Sequence, residues 1–376
     1  MIDRERMVAE FCELVKIASP SRGERLAADA AKAKLTALGL EVLEDDVAAN
    51  FGGNSGNVIG YLKGSAPAPV VMLSAHLDCV EPCVGIEPEV KDGVITSRGD
   101  TILGADDKAG VVGILEALRV IGEKNISHGD IQVIFTVAEE TGLCGAKFID
   151  KKLLRADFGY ILDSGGTPGR IVNSAPGQDN VTVVIRGKAA HAGMAPEDGV
   201  NAIMVAGKAM ARLNQGRIDA ETTANVGIIK GGIATNIVPD QVEISCEARS
   251  RDLAKLAAQT KHMVETFTQA AAENGARAEI SVETAYEPYV LAVDSPVITA
   301  AVKAAQSVGF AATLEATGGG SDANFFNKYG IPSAVLGVGM SKVHTTEEYV
   351  TVDDLERTAR LVVSLVQTVA GMEKKA

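Results

Sequence analysis

Val70-Val71-Met72-Leu73-Ser74-Ala75-His76-Leu77-Asp78 is an apolar run that ends on a histidine and, two residues on, a carboxylate. Val70 to Ala75 reads as a buried strand, which puts the ionisable pair at its carboxyl end. Residues two apart on a strand share a face. Asp78 can therefore accept the second ring N–H of His76 and fix which nitrogen is free for a metal. Taken alone, the tripeptide reads better as a surface histidine beside an acid.

The pattern repeats outward from this stretch. Ile131 to Ala138 reads as an apolar strand closing on Glu139-Glu140, and Phe158 to Leu162 as a strand closing on Asp163. Asn57 to Leu62 is another buried strand. Helical spacing marks Glu24 to Leu38, stopped by Gly39, and Lys108 to Ile121. Strands alternating with helices predict an α/β layered domain, whose ligands bind beyond the carboxyl ends of the strands.

The character changes near Gly177. Strands Val181 to Ile185, Ala224 to Ile229, Val242 to Cys246 and Ala278 to Val282 are interleaved with helices Asn201 to Leu213 and Asp252 to Ala272. This β-α-β-β-α-β order is the ferredoxin-like pattern. After Pro288 the α/β rhythm resumes with helix Pro296 to Ser307, strand Ala334 to Val338, His344, and helix Val352 to Val369. The expectation is a mixed-sheet α/β catalytic domain of residues 1–176 and 289–376, with an inserted lid or dimerisation domain of residues 177–288.

A chain of 376 residues suggests two domains. Its 46% hydrophobic and 23% charged residues give an ordinary soluble balance. A net charge of −13 argues against nucleic-acid or membrane-surface partners, which favour basic patches. No apolar run approaches the roughly 20 residues that span a bilayer. Met1 to Arg6 is charged and leads into a helical pattern, unlike a signal peptide. Cys12, Cys79, Cys83, Cys144 and Cys246 form an odd set without framework spacing, which points to the reducing cytoplasm. Cys79-x-x-x-Cys83 lacks the second pair of a cysteine zinc site.

Asp106 and Asp107 stand in Gly104-Ala105-Asp106-Asp107-Lys108-Ala109-Gly110, a turn before a helix. A carboxylate there either caps the helix or bridges two cations, with Gly104 permitting the backbone conformation. Of Glu139 and Glu140, one can ligate a metal while the other faces a water; a solvated pair is the plain alternative, and Asp163 has the same ambiguity. His191 lies in the insertion, where a structural role is the ordinary reading, and Asn236 and Arg249 are unremarkable surface residues by themselves. Gly318-Gly319-Gly320-Ser321-Asp322-Ala323-Asn324 opens a helix and is a candidate anion site. It lacks the Lys-Ser/Thr ending of a nucleotide loop. The ordered set is stronger than its parts. Catalytic zinc takes three imidazole or carboxylate ligands and keeps a position open, so five ligands with one shared make two such sites.

With these segments the chain resembles the di-zinc metallopeptidases that include peptidase T, carboxypeptidase G and the aminoacylases. The resemblance covers nearly the whole length and rests on Ser74 to Asp78, Gly104 to Lys108, Ala138-Glu139-Glu140-Thr141-Gly142, Asp163, Gly187 to Gly193 and Gly320 to Asn324. The Asp106 to Gly110 form and the His191 segment are most similar to the peptidase T branch. The resemblance implies that Asp106 bridges two zinc ions, that His76 and Asp163 complete one, and that Glu140 and His344 complete the other. It further implies Glu139 as general base, Asp78 as the group orienting His76, and a cis Asp106–Asp107 peptide. His191 would stabilise the oxyanion, often from the partner subunit of a dimer, and Asn236 and Arg249 would contact the substrate. The implied activity is a cytoplasmic, homodimeric tripeptide aminopeptidase acting on short peptides. Deacylation of N-acyl amino acids, or carboxypeptidase action on the same fold, is the rival, and an intact Glu139 argues against a non-catalytic binder. Zinc suits the mixed N/O donors, with cobalt and manganese as alternatives. Two departures stand out: Cys79, where such enzymes commonly carry Thr, and the Lys342 to Glu348 segment, which differs from the peptidase T form.

Overall fold

In the computed structural model, which describes residues 2–373, the quoted stretch forms a strand, Val71–His76, buried along its whole length. It lies parallel between Ile131–Thr136 and Phe158–Ser164, and Ser333–Gly337 continues the parallel run beside Phe158–Ser164. These four strands form the middle of a nine-stranded sheet. Antiparallel strands flank them, Val58–Leu62 and Glu41–Glu44 on one side and Arg170–Ala175 with Tyr289–Val290 on the other. The sheet is mixed, as expected. Unbroken burial in Val71–His76 and Ile131–Thr136 is the pattern of strands covered on both faces. Helix Ala105–Glu123 packs on Val71–His76 and Phe158–Ser164, and helix Val352–Ala370 packs on it in turn.

The chain divides into two compact units. One comprises Met1–Asn173, Leu291–Ala316 and Ser321–Ala376; the other comprises Ser174–Val290 and Thr317–Gly320. The second unit is built on an antiparallel sheet in the order Gly216–Arg217, Thr222–Gly231, Gln241–Ser250, Gly177–Arg186, Arg277–Tyr286. Leaving out the short Gly216–Arg217 strand, this is the strand order of a ferredoxin-like unit. Val181, Val183 and Ile185 alternate inward along their strand and meet Val205 of helix Ala202–Met210 and Met263 and Phe267 of helix Leu253–Glu273. That alternation is what made the unit readable from the sequence.

Several elements carry no such signal. Glu87–Lys91 and Val94–Arg98 form a mostly polar hairpin that, with Tyr349–Thr351, makes a separate three-stranded sheet. Several expected boundaries move, and one of these shifts bears on the site. The strand read as far as Ala138 stops at Thr136, because the Val137 and Ala138 N–H groups leave the ladder for the Asn57 Oδ1 and Glu24 Oε1 side-chain oxygens.

Candidate active site

All four central parallel strands deliver residues to one edge. His76 is the last residue of its strand, Glu139 and Glu140 follow Thr136, Asp163 is near the end of Phe158–Ser164, and His344 lies beyond Ser333–Gly337. Helix Ala105–Glu123 begins at the same edge. Its first turn is not helical, with Asp106 at ψ 100° and Asp107 at φ −123°, and the peptide between them is cis.

The two aspartates divide the roles that the sequence left open. Asp107 caps the helix, accepting the Gly110 N–H at Oδ1 (3.2 Å), while its Oδ2 accepts the His76 N–H (3.2 Å). Gly110 is required here, since a Cβ would lie 2.2 Å from the Leu162 carbonyl oxygen. Asp106 faces two imidazoles, its Oδ1 3.0 Å from His76 Nε2 and its Oδ2 3.3 Å from His344 Nε2. His76 Nε2 is also 3.8 Å from Asp163 Oδ1, and His344 Nε2 is 3.1 Å from Glu140 Oε2. Two groups of side chains, His76–Asp106–Glu140 and His76–Asp107–Asp163, bring their donor atoms close enough together to hold a metal ion.

Asp78 supports both halves of this arrangement. The His76 Nδ1 is 3.0 Å from the Asp78 backbone oxygen and 3.5 Å from its Oδ1. The same carboxylate accepts the N–H groups of Glu139 (3.0 Å) and Glu140 (3.2 Å) and the Ser21 hydroxyl (2.7 Å). Beneath it Lys108, buried, donates from Nζ to the Leu77 carbonyl (2.6 Å) and the Ser19 hydroxyl (3.0 Å) and lies 3.1 Å from Cys79 Sγ. Cys79 is buried, so the departure at this position places a small thiol against a buried ammonium.

The electrostatics are those of an acid-rich pocket. Burial first, and the Asp163 charge second, push Glu139 well above the usual carboxylate range, and the same two causes raise Asp107. Burial also raises Asp163, and it lifts Asp322 to about 6. Burial acts the same way on Asp106, yet hydrogen bonds from His344 and His76 overcome it and hold that group low. His344 is lifted to about 10 by its bonds to Asp106 and Glu140. Carboxyls and imidazoles raised side by side signal excess negative charge, which bound cations would offset. The donor set fits divalent metal ions: among the described residues Glu140 Oε1 is buried with no hydrogen-bond partner, and the ion pairs of Asp106, Glu140 and Asp163 are all to imidazoles.

The remaining candidates belong to the second unit. His191 is exposed, its Nδ1 accepting the N–H groups of Gly193 and Met194 (3.2 Å each). Asn236 adjoins it through the Ala192 N–H, bound to the Asn236 carbonyl (2.9 Å). Arg249 is forked onto Glu247, with Nε and Nη2 each 3.0 Å from a carboxylate oxygen. The glycine loop is no anion site, because Asn324 Oδ1 already accepts the Ser321 N–H (3.0 Å) and the buried Asp322 carboxylate occupies the first turn. Sequence reading passed over Ser21, Glu24 and Glu348, whose only signal is the long-range contact itself.

A nine-stranded mixed α/β sheet with an acid–imidazole cluster at the carboxyl ends of its parallel strands, together with a ferredoxin-like insertion, defines a metallopeptidase architecture. The model of peptidase family M20/M25/M40 matches residues 72–368. The chain is 43% identical over 370 residues to the YqjE protein of Bacillus subtilis (strain 168), covering 98% of this chain and 100% of that one. Among solved structures, aminopeptidase PepT from Bacillus cereus ATCC 10987 is 46% identical with a TM-score of 0.93, covering 98% of this chain and 99% of that chain. A tripeptidase from Staphylococcus aureus subsp. aureus Mu50 is 42% identical with a TM-score of 0.97, covering 99% and 100%. The chain belongs to peptidase family M20/M25/M40, and it is a hydrolase of peptide bonds.

Proposed function

We propose that this protein is a tripeptide aminopeptidase working with two divalent metal ions, zinc by donor character. One observation carries the reading: the two oxygens of Asp106 each face a different imidazole, with Asp163 beside one and Glu140 beside the other. That geometry supports reading five residues as two sets sharing Asp106, namely His76 with Asp163 and Glu140 with His344. Asp107 stands outside both, since each of its oxygens already accepts a backbone N–H. Bound ions would supply Lewis acidity at the scissile carbonyl and lower the pKa of water toward neutrality.

The chain's own groups do the rest. Glu139 takes a proton from the attacking water and returns it to the leaving amine nitrogen. Asp78 fixes the His76 ring and holds the Glu139 and Glu140 backbone, so one buried carboxylate aligns a ligand with the base. His191 stabilises the tetrahedral oxyanion, delivered by the partner subunit of a homodimer. Asn236 and Arg249 hold the substrate backbone or terminal carboxylate, Arg249 through Nη1, which Glu247 leaves unbound and which donates to the Gly318 carbonyl (3.4 Å). The dimer forms through the second unit, where Met194, Ile203, Met204, Ile228, Ile229 and Ile233 are all exposed. Contiguous apolar patches on a surface mark interaction sites. Five free cysteines fit a reducing cytoplasm. Among the described residues no helix is long and apolar enough to cross a membrane.

The names carried by the 46% and 42% identical structures, an aminopeptidase and a tripeptidase, support N-terminal cleavage and tripeptide substrates respectively. Mass spectrometry of a mixed panel of dipeptides, tripeptides and N-acyl amino acids, with the zinc-loaded enzyme and a Glu139→Ala blank, tests the reading. Release of the N-terminal residue from tripeptides is expected. Cleavage confined to the acylated amino acids overturns it.

A further inference from the structure

Ser19-Pro20-Ser21-Arg22-Gly23-Glu24 joins helices Arg4–Val15 and Arg25–Ala37 and is remote in sequence from every residue of the site. It nevertheless meets the supports of the site at three points. The Ser19 carbonyl accepts the Cys79 N–H (2.9 Å), and its hydroxyl accepts from Lys108 Nζ. Ser21 Oγ donates to Asp78 Oδ2. Glu24, wholly buried, accepts the N–H groups of both Arg22 (2.7 Å) and Ala138 (2.9 Å) at Oε1. Among the described residues its Oε2 has no hydrogen-bond partner.

The bond to Ala138 bears on the chemistry. Ala138 is in the left-handed region, φ +51°, where a residue with a Cβ is rarely found unless its surroundings hold it there. It immediately precedes Glu139, so its conformation sets the direction in which that side chain leaves the backbone. Four consecutive N–H groups at this turn are bound by side chains: Val137 by Asn57, Ala138 by Glu24, and Glu139 and Glu140 by Asp78. Glu24 holds the one residue among them whose φ is positive.

We infer that Glu24 is a positioning residue for the reaction proposed above, acting through the Ala138 backbone to set where the Glu139 carboxylate stands. The inference rests on that reading of Glu139 as the base. It makes a sharp distinction, because one oxygen takes both hydrogen bonds and the other takes none. Glutamine can reproduce the cradle with its single carbonyl oxygen. Aspartate, a methylene shorter, and alanine cannot.

The full-length, metal-loaded Glu24→Gln, Glu24→Asp and Glu24→Ala proteins would be compared by kcat, KM, metal content and amide hydrogen exchange across Val137 to Glu140. Glu24→Gln should stay within about threefold of the parent. The Asp and Ala variants should lose about 10- to 100-fold in kcat with KM and two-metal content unchanged, since small misplacements of a catalytic group cost that much. Their Ala138 amide should also exchange faster. A folded Asp or Ala variant with unaltered kcat overturns the inference. So does a Gln variant as impaired as Ala, which would make charge the cause, or a loss of metal in step with kcat, which would assign Glu24 to the ligands. Should the Ala variant not fold, the Asp variant decides. If the parent cleaves no tripeptide, the functional reading fails separately, and kcat on the panel substrate it does cleave still tests Glu24.

Discussion

Glu348 lies four residues beyond His344 and is almost fully buried. Its carboxylate gathers three backbone N–H groups from the loop that delivers Asp106: Leu103 (2.8 Å) and Gly104 (2.7 Å) at Oε2, and Asp106 (2.9 Å) at Oε1. Glu348→Ala would leave these donors without an acceptor. A buried unpaired N–H costs about 1–3 kcal/mol, so three should cost about 3–6 kcal/mol once some rehydration is allowed. Glu348→Gln should fall between the parent and Ala, because its oxygen can serve two donors while its amide confronts the third. Urea unfolding of the metal-free proteins, followed by circular dichroism, reads the loss directly. A parallel metal titration should show both ions weakened together if Asp106 serves both, as proposed above. A loss below about 1 kcal/mol in Glu348→Ala, where even one unsatisfied donor should cost more, would refute the reasoning. So would a Gln variant less stable than Ala.

Glu139→Ala should retain two metal ions and lose about 10²- to 10⁴-fold in kcat, the usual worth of a general base. Elemental analysis with steady-state kinetics checks this, and parallel loss of metal would mean that the two glutamates exchange roles. Mixing His191→Ala with Glu139→Ala protein should restore about a quarter of the parental activity, because half of randomly paired dimers carry one complete site. No recovery after confirmed subunit exchange would place His191 in its own subunit's site or outside catalysis. Glu44 is held down to about 2 by hydrogen bonds from Arg25, Gly56 and Lys32, against an ordinary value of 4.5. The unfolded chain therefore takes up this proton first on acidification. Glu44's stabilisation is full above the unfolded value and lost as pH falls through the folded one. The stability gap between parent and Glu44→Gln should then close between about pH 5 and pH 2, and a gap that is flat with pH would remove the ion pair from the account.

Four of the candidate donors were legible because each ends an apolar run or opens a helix; His344, seven residues past its strand, does neither. His76, Glu139-Glu140 and Asp163 follow stretches whose burial pattern announces strands of a covered sheet, and the carboxyl edge of such a sheet is where ligands gather. The insertion was legible through its alternating Val181, Val183 and Ile185. The hairpin of Glu87–Lys91 and Val94–Arg98 was not, since largely polar residues on an exposed hairpin leave no apolar period to read. The Asp106-Asp107 pair was legible only as a choice between a cap and a bridge; the folded chain uses Asp107 for the first and turns Asp106 to the imidazoles.

From the sequence alone came the kinds of donor, their order, and the strand ends that carry them, because donor chemistry and hydrophobic period are properties of short windows. Tertiary structure alone decided which groups meet: Glu24 with Ala138 across 114 residues, and Glu348 with Asp106 across 242. No local pattern encodes such a bond. It exists only once the strands have registered and the buried N–H groups at their ends must find acceptors.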